Sequence, residues 1–208
     1  MSAQWLGYLE AFLVLTLSLV NLLAQDWRRR VLAFAFQAIG VVLLCWQSLS
    51  LTLSLVKFIE GWMAAAILGT AMANVTSSLS PGDSQSSGVT PRISLPFSVL
   101  VFRFATAILV GASVLGSVPY LMSVFNGIRY SQALTILGLA AVGLLILSFR
   151  SSPFSVAIGL ITILQAFEIL LAVIEPSVML SGLLAGLVLG VAFLGAYLML
   201  FERGQYSP

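Results

Sequence analysis

Apolar residues run almost unbroken through seven stretches of this chain, at about 4–24, 31–48, 50–71, 97–117, 132–149, 153–174 and 177–201. A helix that spans a bilayer needs about 20 mostly apolar residues. A membrane β-strand would instead alternate in short segments. The pattern therefore predicts an all-α, polytopic membrane protein with seven transmembrane helices. The polar interruptions predict the connections. Gln47 to Ser50 is a tight turn, so the second and third helices form an antiparallel hairpin. Glu175 and Pro176 separate the sixth from the seventh, and proline is tolerated at a helix start because its missing N–H has no partner there. Residues 74–96 are rich in Ser, Gly and Pro and read as a flexible cytoplasmic linker. It divides the chain into a three-helix part, 1–73, and a four-helix part, 97–208. A second loop, about 118–131, carries Tyr120, Phe125 and Tyr130 and reads as a short interfacial segment. The chain has no convincing internal repeat, which argues against an inverted-repeat transporter.

Composition agrees. Of 208 residues, 60% are hydrophobic and 8% charged, with a mean hydropathy of +1.11; soluble domains carry roughly 25% charged residues. The N-terminal stretch lacks a basic leader before its apolar run and reads as a retained first helix rather than a signal peptide. Basic residues concentrate on cytoplasmic loops. An N-out, C-in orientation puts Arg28, Arg29, Arg30, Arg92, Arg150 and Arg203 on that side and leaves Arg129 as the outer-loop exception. The expected location is a bacterial plasma membrane, with the lipid bilayer as first partner. The Arg28–Arg30 triplet reads as a topology signal, and no nucleic-acid partner is expected. Asn74-Val75-Thr76 fits a glycosylation pattern but falls on the cytoplasmic side. Cys45 is the single cysteine and there is no histidine. No haem, iron–sulfur or zinc site is expected, hence no cofactor and no metal.

Against this background, three ionisable residues stand out. Lys57 and Glu60 lie within the third helix and Glu168 within the sixth. Charges at membrane depth are costly and face bundle interiors or wet cavities. Lys57 and Glu60, three apart, share a helix face and can pair. At about 1.5 Å per residue, Glu60 lies roughly 15 Å and Lys57 about one turn less from the outer end of their helix, and Glu168 lies about 9 Å from the outer end of its own. Gln165 and Thr162 share roughly one face with Glu168 and offer polar support. A relay of protons or ions and a structural pair that fixes helix register both fit these residues. If Glu168 is ionised, Lys57 is its natural partner; otherwise it is a hydrogen-bonded acid. Glu10, near the outer end of the first helix, reads as a snorkelling side chain or a subunit contact, and a further candidate for polar support. Arg103 can snorkel to the cytoplasmic interface and meet a lipid phosphate. Gly182, Gly186 and Gly190, spaced by four, predict a face for close helix packing, within this chain or against a partner. No phosphate loop, Ser/His/Asp set or metal-ligand spacing occurs, so no catalytic residue is assigned.

Two segments carry a family resemblance. One is LSLVKFIEGWMAAAIL, with its mid-helix lysine. The other runs from QALTILGLAAVGLLILSFRSSPFSVAIGL to the glycine-rich last helix. Together with the Asp26-Trp27-Arg28-Arg29-Arg30 turn, they resemble the hydrogenase-4 component E family, whose last three helices are similar to the small K (4L-type) subunit of complex I. The resemblance implies a non-redox membrane subunit of a proton- or sodium-translocating complex related to group 4 hydrogenases, assembled with antiporter-like subunits. Lys57 matches the family's helix-three lysine. The family's helix-six acid falls near Leu164, one turn before Glu168, and its last-helix acids have no counterpart between Ser177 and Phe201. Two other readings stand beside this one: a structural or assembly protein, and a small transporter acting alone.

Overall fold

The computed structural model describes residues 2–46, 48–77, 97–125, 127–175 and 177–204. Seven α-helices make up the fold: α1 (Ser2–Leu23), α2 (Trp27–Trp46), α3 (Leu51–Ser77), α4 (Phe97–Val124), α5 (Tyr130–Phe149), α6 (Pro153–Ile174) and α7 (Val178–Gly204). No strand occurs among the described residues. All seven helices are long and apolar enough to cross a membrane. A helix pairs nearly all of its own backbone groups, which is the requirement that lipid imposes. The chain is a multi-pass membrane protein.

Six helices close into a ring in the order α1, α2, α3, α7, α6, α5, and α2 also touches α6 across the middle. The helix α4 stands outside this ring and leans mainly on α5. The parts before and after residues 74–96 thus share one core, because α1 packs on α5 and α3 on α7. One core cluster gathers Phe34, Leu68, Ile158, Ile161 and Val188, and a second gathers Val14, Leu44, Leu139 and Ile169.

Three boundaries differ from expectation. The α2 helix begins at Trp27 and takes the arginine triplet into its first turns. The α3 helix continues to Ser77, so Asn74–Ser77 are helical, and the linker from 78 to 96, with Arg92, lies outside the described residues. The α4 helix runs through Pro119 to Val124. An unpaired backbone group is costly in lipid, and ending the helix at Pro119 would strand more carbonyls than the one that proline leaves without a donor. The expected interfacial loop shrinks to the residues after Val124, where Gly127 adopts φ 100°, a conformation that favours glycine.

The expected glycine face on α7 does not meet another helix among the described residues. The buried face of α7 is Leu184, Val188, Ala192 and Met199. Gly182 and Gly186 are exposed and Gly190 is half-buried, and a Cβ at any of the three would meet nothing within 4 Å. Spacing by four put the glycines on one stripe, but it could not say which stripe faces inward. The close approaches are elsewhere: a Cβ at Gly195 would lie 2.6 Å from the Ala157 Cβ, and one at Gly61 2.6 Å from the Ala38 Cβ. Replacing Gly186 by leucine is therefore expected to change the stability of the isolated chain by no more than about 0.5 kcal/mol, as for other surface positions. Thermal unfolding in detergent measures this. A large loss would put Gly186 against a neighbour.

Candidate functional site

In α3 the residues Ser54, Lys57, Glu60, Gly61, Ala64 and Leu68 are buried, and they recur at helical spacing along one face. In α6 the buried face includes Ile158, Ile161, Gln165, Glu168 and Ala172. The two helices run antiparallel. Lys57 is six residues from the start of α3 and Glu168 six from the end of α6, so each lies about 9 Å from the same end of the bundle. Equal depth on facing stripes is what lets them meet.

They do meet. Lys57 Nζ donates to Glu60 Oε2 at 2.8 Å and to Glu168 Oε1 at 2.7 Å. The three residues are 5%, 4% and 7% exposed, respectively. The ammonium therefore bridges two helices whose main packing is against others: α3 lies mainly against α2 and α7, whereas α6 lies mainly against α5, α7 and α2. Beside the trio is a cavity of about 10 Å³, lined by Ala38, Lys57, Glu60, Gly61, Gln165 and Glu168 among others. That is about the space one water needs. Glu60 Oε1 is buried and has no hydrogen-bond partner among the described residues. Such an atom is expensive to leave unsatisfied. One ammonium and two carboxylates sum to −1 when all are ionised. One added proton makes the cluster neutral without unpairing Lys57.

The polar run continues past the trio. Gln165, one turn before Glu168, accepts from Gln37 Nε2 at 2.7 Å. The Asn21 amide reaches Gln37 Oε1 at 3.3 Å in one rotation and Arg30 O at 2.8 Å in the other; either ties α1 to α2. Arg30 Nε donates to Asn21 O at 3.2 Å, and its Nη1 donates to Ser155 Oγ at 2.8 Å. Ser155 in turn shares a hydrogen bond with Ser152 at 2.8 Å. Buried side chains from α1, α2, α3 and α6 thus line up from the ion trio to the arginine-bearing end of the bundle.

Sequence reasoning found Lys57, Glu60, Glu168 and Gln165, and the structure brings all four to one cavity. Thr162 does not join them; it is buried and its hydroxyl donates to Ile158 O of its own helix at 2.7 Å. Glu10 is 5% exposed, so its carboxylate does not snorkel, and it does not line this cavity. Asn21, Gln37, Arg30 and Ser155 were missed. Gln37 left a signal, as the only amide or charge between Val31 and Trp46. Arg30 left none, because its two neighbours behave as topology markers should: Arg29 is exposed and pairs with Asp26 at 3.3 Å, and Arg28 is exposed over the ring of Trp27.

No protein-family model, curated protein or solved structure matches this chain.

Proposed function

We propose that this chain is an integral membrane subunit of a proton- or sodium-translocating redox complex of the group 4 hydrogenase and complex I kind, in a bacterial plasma membrane. The observation that carries the reading is the Lys57 ammonium held between Glu60 and Glu168 beside a water-sized cavity. The family resemblance of helix three and of the last three helices supports it. The subunit binds no redox cofactor. Its contribution is an intramembrane polar axis.

The chemistry is proton bookkeeping. With one carboxyl protonated, the trio is neutral. Lys57 can pass a proton to one carboxylate and recover one from the other carboxyl, which moves the proton between α3 and α6 with no net change in charge. Gln165, held by Gln37, adds a polar but uncharged wall to the cavity beside the trio. The missing last-helix acids place the whole burden on α3 and α6. Glu168→Gln keeps size and hydrogen bonding but cannot release a proton. It is expected to lower ion pumping in membrane vesicles about a hundredfold, typical for loss of a positioned proton-transfer group, with assembly retained. Normal pumping in this variant overturns the relay.

The same ion trio also fits a second reading, a structural or assembly protein in which Lys57 staples α3 to α6. In that case neutral replacements change abundance and nothing else. A small transporter acting alone is distinguished by ion flux from the purified chain in liposomes.

A further inference from the structure

The end of the bundle where α1 and α5 finish gathers three guanidiniums from separate parts of the chain. Arg30 comes from the start of α2, Arg103 from the start of α4, and Arg150 from the turn between α5 and α6. Each donates to a main-chain carbonyl, and Arg30 also donates to the Ser155 hydroxyl. Arg150 Nη2 donates to Ala24 O at 2.7 Å, Arg30 Nε to Asn21 O at 3.2 Å, and Arg103 Nη2 to Phe149 O at 3.5 Å. These carbonyls belong to the C-terminal ends of α1 and α5, which offer only partial negative charge. Among the described residues no carboxylate pairs with any of the three. The nearest acid in sequence, Asp26, is engaged by Arg29. Arg30 is 2% exposed, and its Nη2 has no partner among the described residues. Arg150 is drawn below its ordinary range by burial first and by the charge of Arg103 second. Three cations that feel one another's charge, with no carboxylate partner among the described residues, call for an anion.

An apolar groove of about 290 Å³ starts one turn from Arg103. It runs between α1, α4 and α5, past Ala107, Gly111 and Val114 on one side and Leu19, Gly138 and Leu145 on the other. Residues 103, 107, 111 and 114 share one face of α4. From Arg103 to Val114 is about 17 Å of helix rise, close to half of the roughly 30 Å hydrocarbon thickness of a bilayer. A Cβ at Gly111 would meet nothing within 4 Å, so the groove is open there.

We propose that this end of the protein is a binding site for an anionic phospholipid. Its phosphate sits between Arg103 and Arg150, with Arg30 behind them, and an acyl chain lies along the α1–α4–α5 groove. Guanidinium matches phosphate geometry in paired hydrogen bonds. A phosphate joined to a long hydrocarbon matches the cluster and the groove together, as neither inorganic phosphate nor an uncharged lipid can. The site does not depend on the ion-relay reading.

Native mass spectrometry of the purified chain in mild detergent tests this, with phosphatidylglycerol, phosphatidylcholine, diacylglycerol and inorganic phosphate as probes. Phosphatidylglycerol is expected to be retained in preference to the other two lipids. In the double variant Arg103→Gln with Arg150→Gln, retention is expected to fall at least about tenfold, as for lost hydrogen bonds to a charged group; Arg103→Lys with Arg150→Lys should restore part of it. Gly111→Phe fills the groove and should weaken retention without lowering the melting temperature. Equal retention by the wild type, the glutamine pair and Gly111→Phe overturns the proposal. So does diacylglycerol held as tightly as phosphatidylglycerol, or displacement of the lipid by millimolar inorganic phosphate, which would make free phosphate the ligand. Loss of a copurifying subunit in the glutamine pair with lipid retention intact would assign the cluster to a protein contact, and also overturns it.

Discussion

Lys57→Met is expected to be the most damaging single substitution in the bundle. It removes the ammonium and leaves Glu60 and Glu168 buried together, each without its 2.8 or 2.7 Å partner. Breaking a buried ion pair from one side costs about 3–5 kcal/mol, because the surviving charge stays desolvated. Here two carboxyls survive, and they also repel each other whenever both are ionised. The triple variant Lys57→Met, Glu60→Gln, Glu168→Gln should regain most of the loss, since replacing a whole buried ionic group with neutral residues is often nearly neutral for stability. Unfolding in detergent compares the three proteins directly. If Lys57→Met melts with the wild type, the trio does not hold α3 to α6. If the triple variant is as unstable as the single one, loss of packing rather than orphaned charge is the cause.

Gly143→Leu should come second. A Cβ at Gly143 would lie 2.6 Å from Ile163 Cγ1, 2.9 Å from Gly159 O and 3.2 Å from Ile163 N. Two of these atoms are backbone, so no rotamer change relieves the clash and α5 and α6 must part. The reciprocal position is also close, though less so: a Cβ at Gly159 would lie 3.1 Å from Gly143 O. Overpacking of this kind costs about 1–3 kcal/mol for a small addition and more when backbone must move. The effect should also reach the ion trio, because α6 carries Glu168. Gly143→Ala should melt well below Gly186→Ala, whose added methyl meets open space. Equal melting of the two alanine variants would show that α5 and α6 have room to spare.

The two glycine sets explain where reading the sequence stops. Gly182, Gly186 and Gly190 have the spacing associated with helix contacts, yet the contacts form at Gly143, Gly159, Gly61 and Gly195. In a soluble helix the polar face marks the outside. Helices in lipid are apolar all round, because the surroundings are as apolar as the core. A stripe of small residues then has no inward or outward label. The same ambiguity hid Gln37 and Asn21. Each is an amide in a greasy stretch of its helix, and its partner lies on another helix whose position the sequence does not encode locally. Arg30 was hidden differently, inside a triplet whose other two members are exposed.

What the sequence determined by itself is local: seven spans, because length and hydropathy are properties of each segment alone, and the Lys57–Glu60 pair, because three residues along a helix always return to one face. The tertiary structure alone decided that Glu168 joins that pair, that Gln37 reaches Gln165, and that Arg30, Arg103 and Arg150 converge. Each of these joins helices far apart in the chain. Such contacts depend on the order of the ring and the rotation of each helix within it. Close packing at a few glycines sets both, and hydrophobic periodicity leaves no trace of them in a helix bathed in lipid.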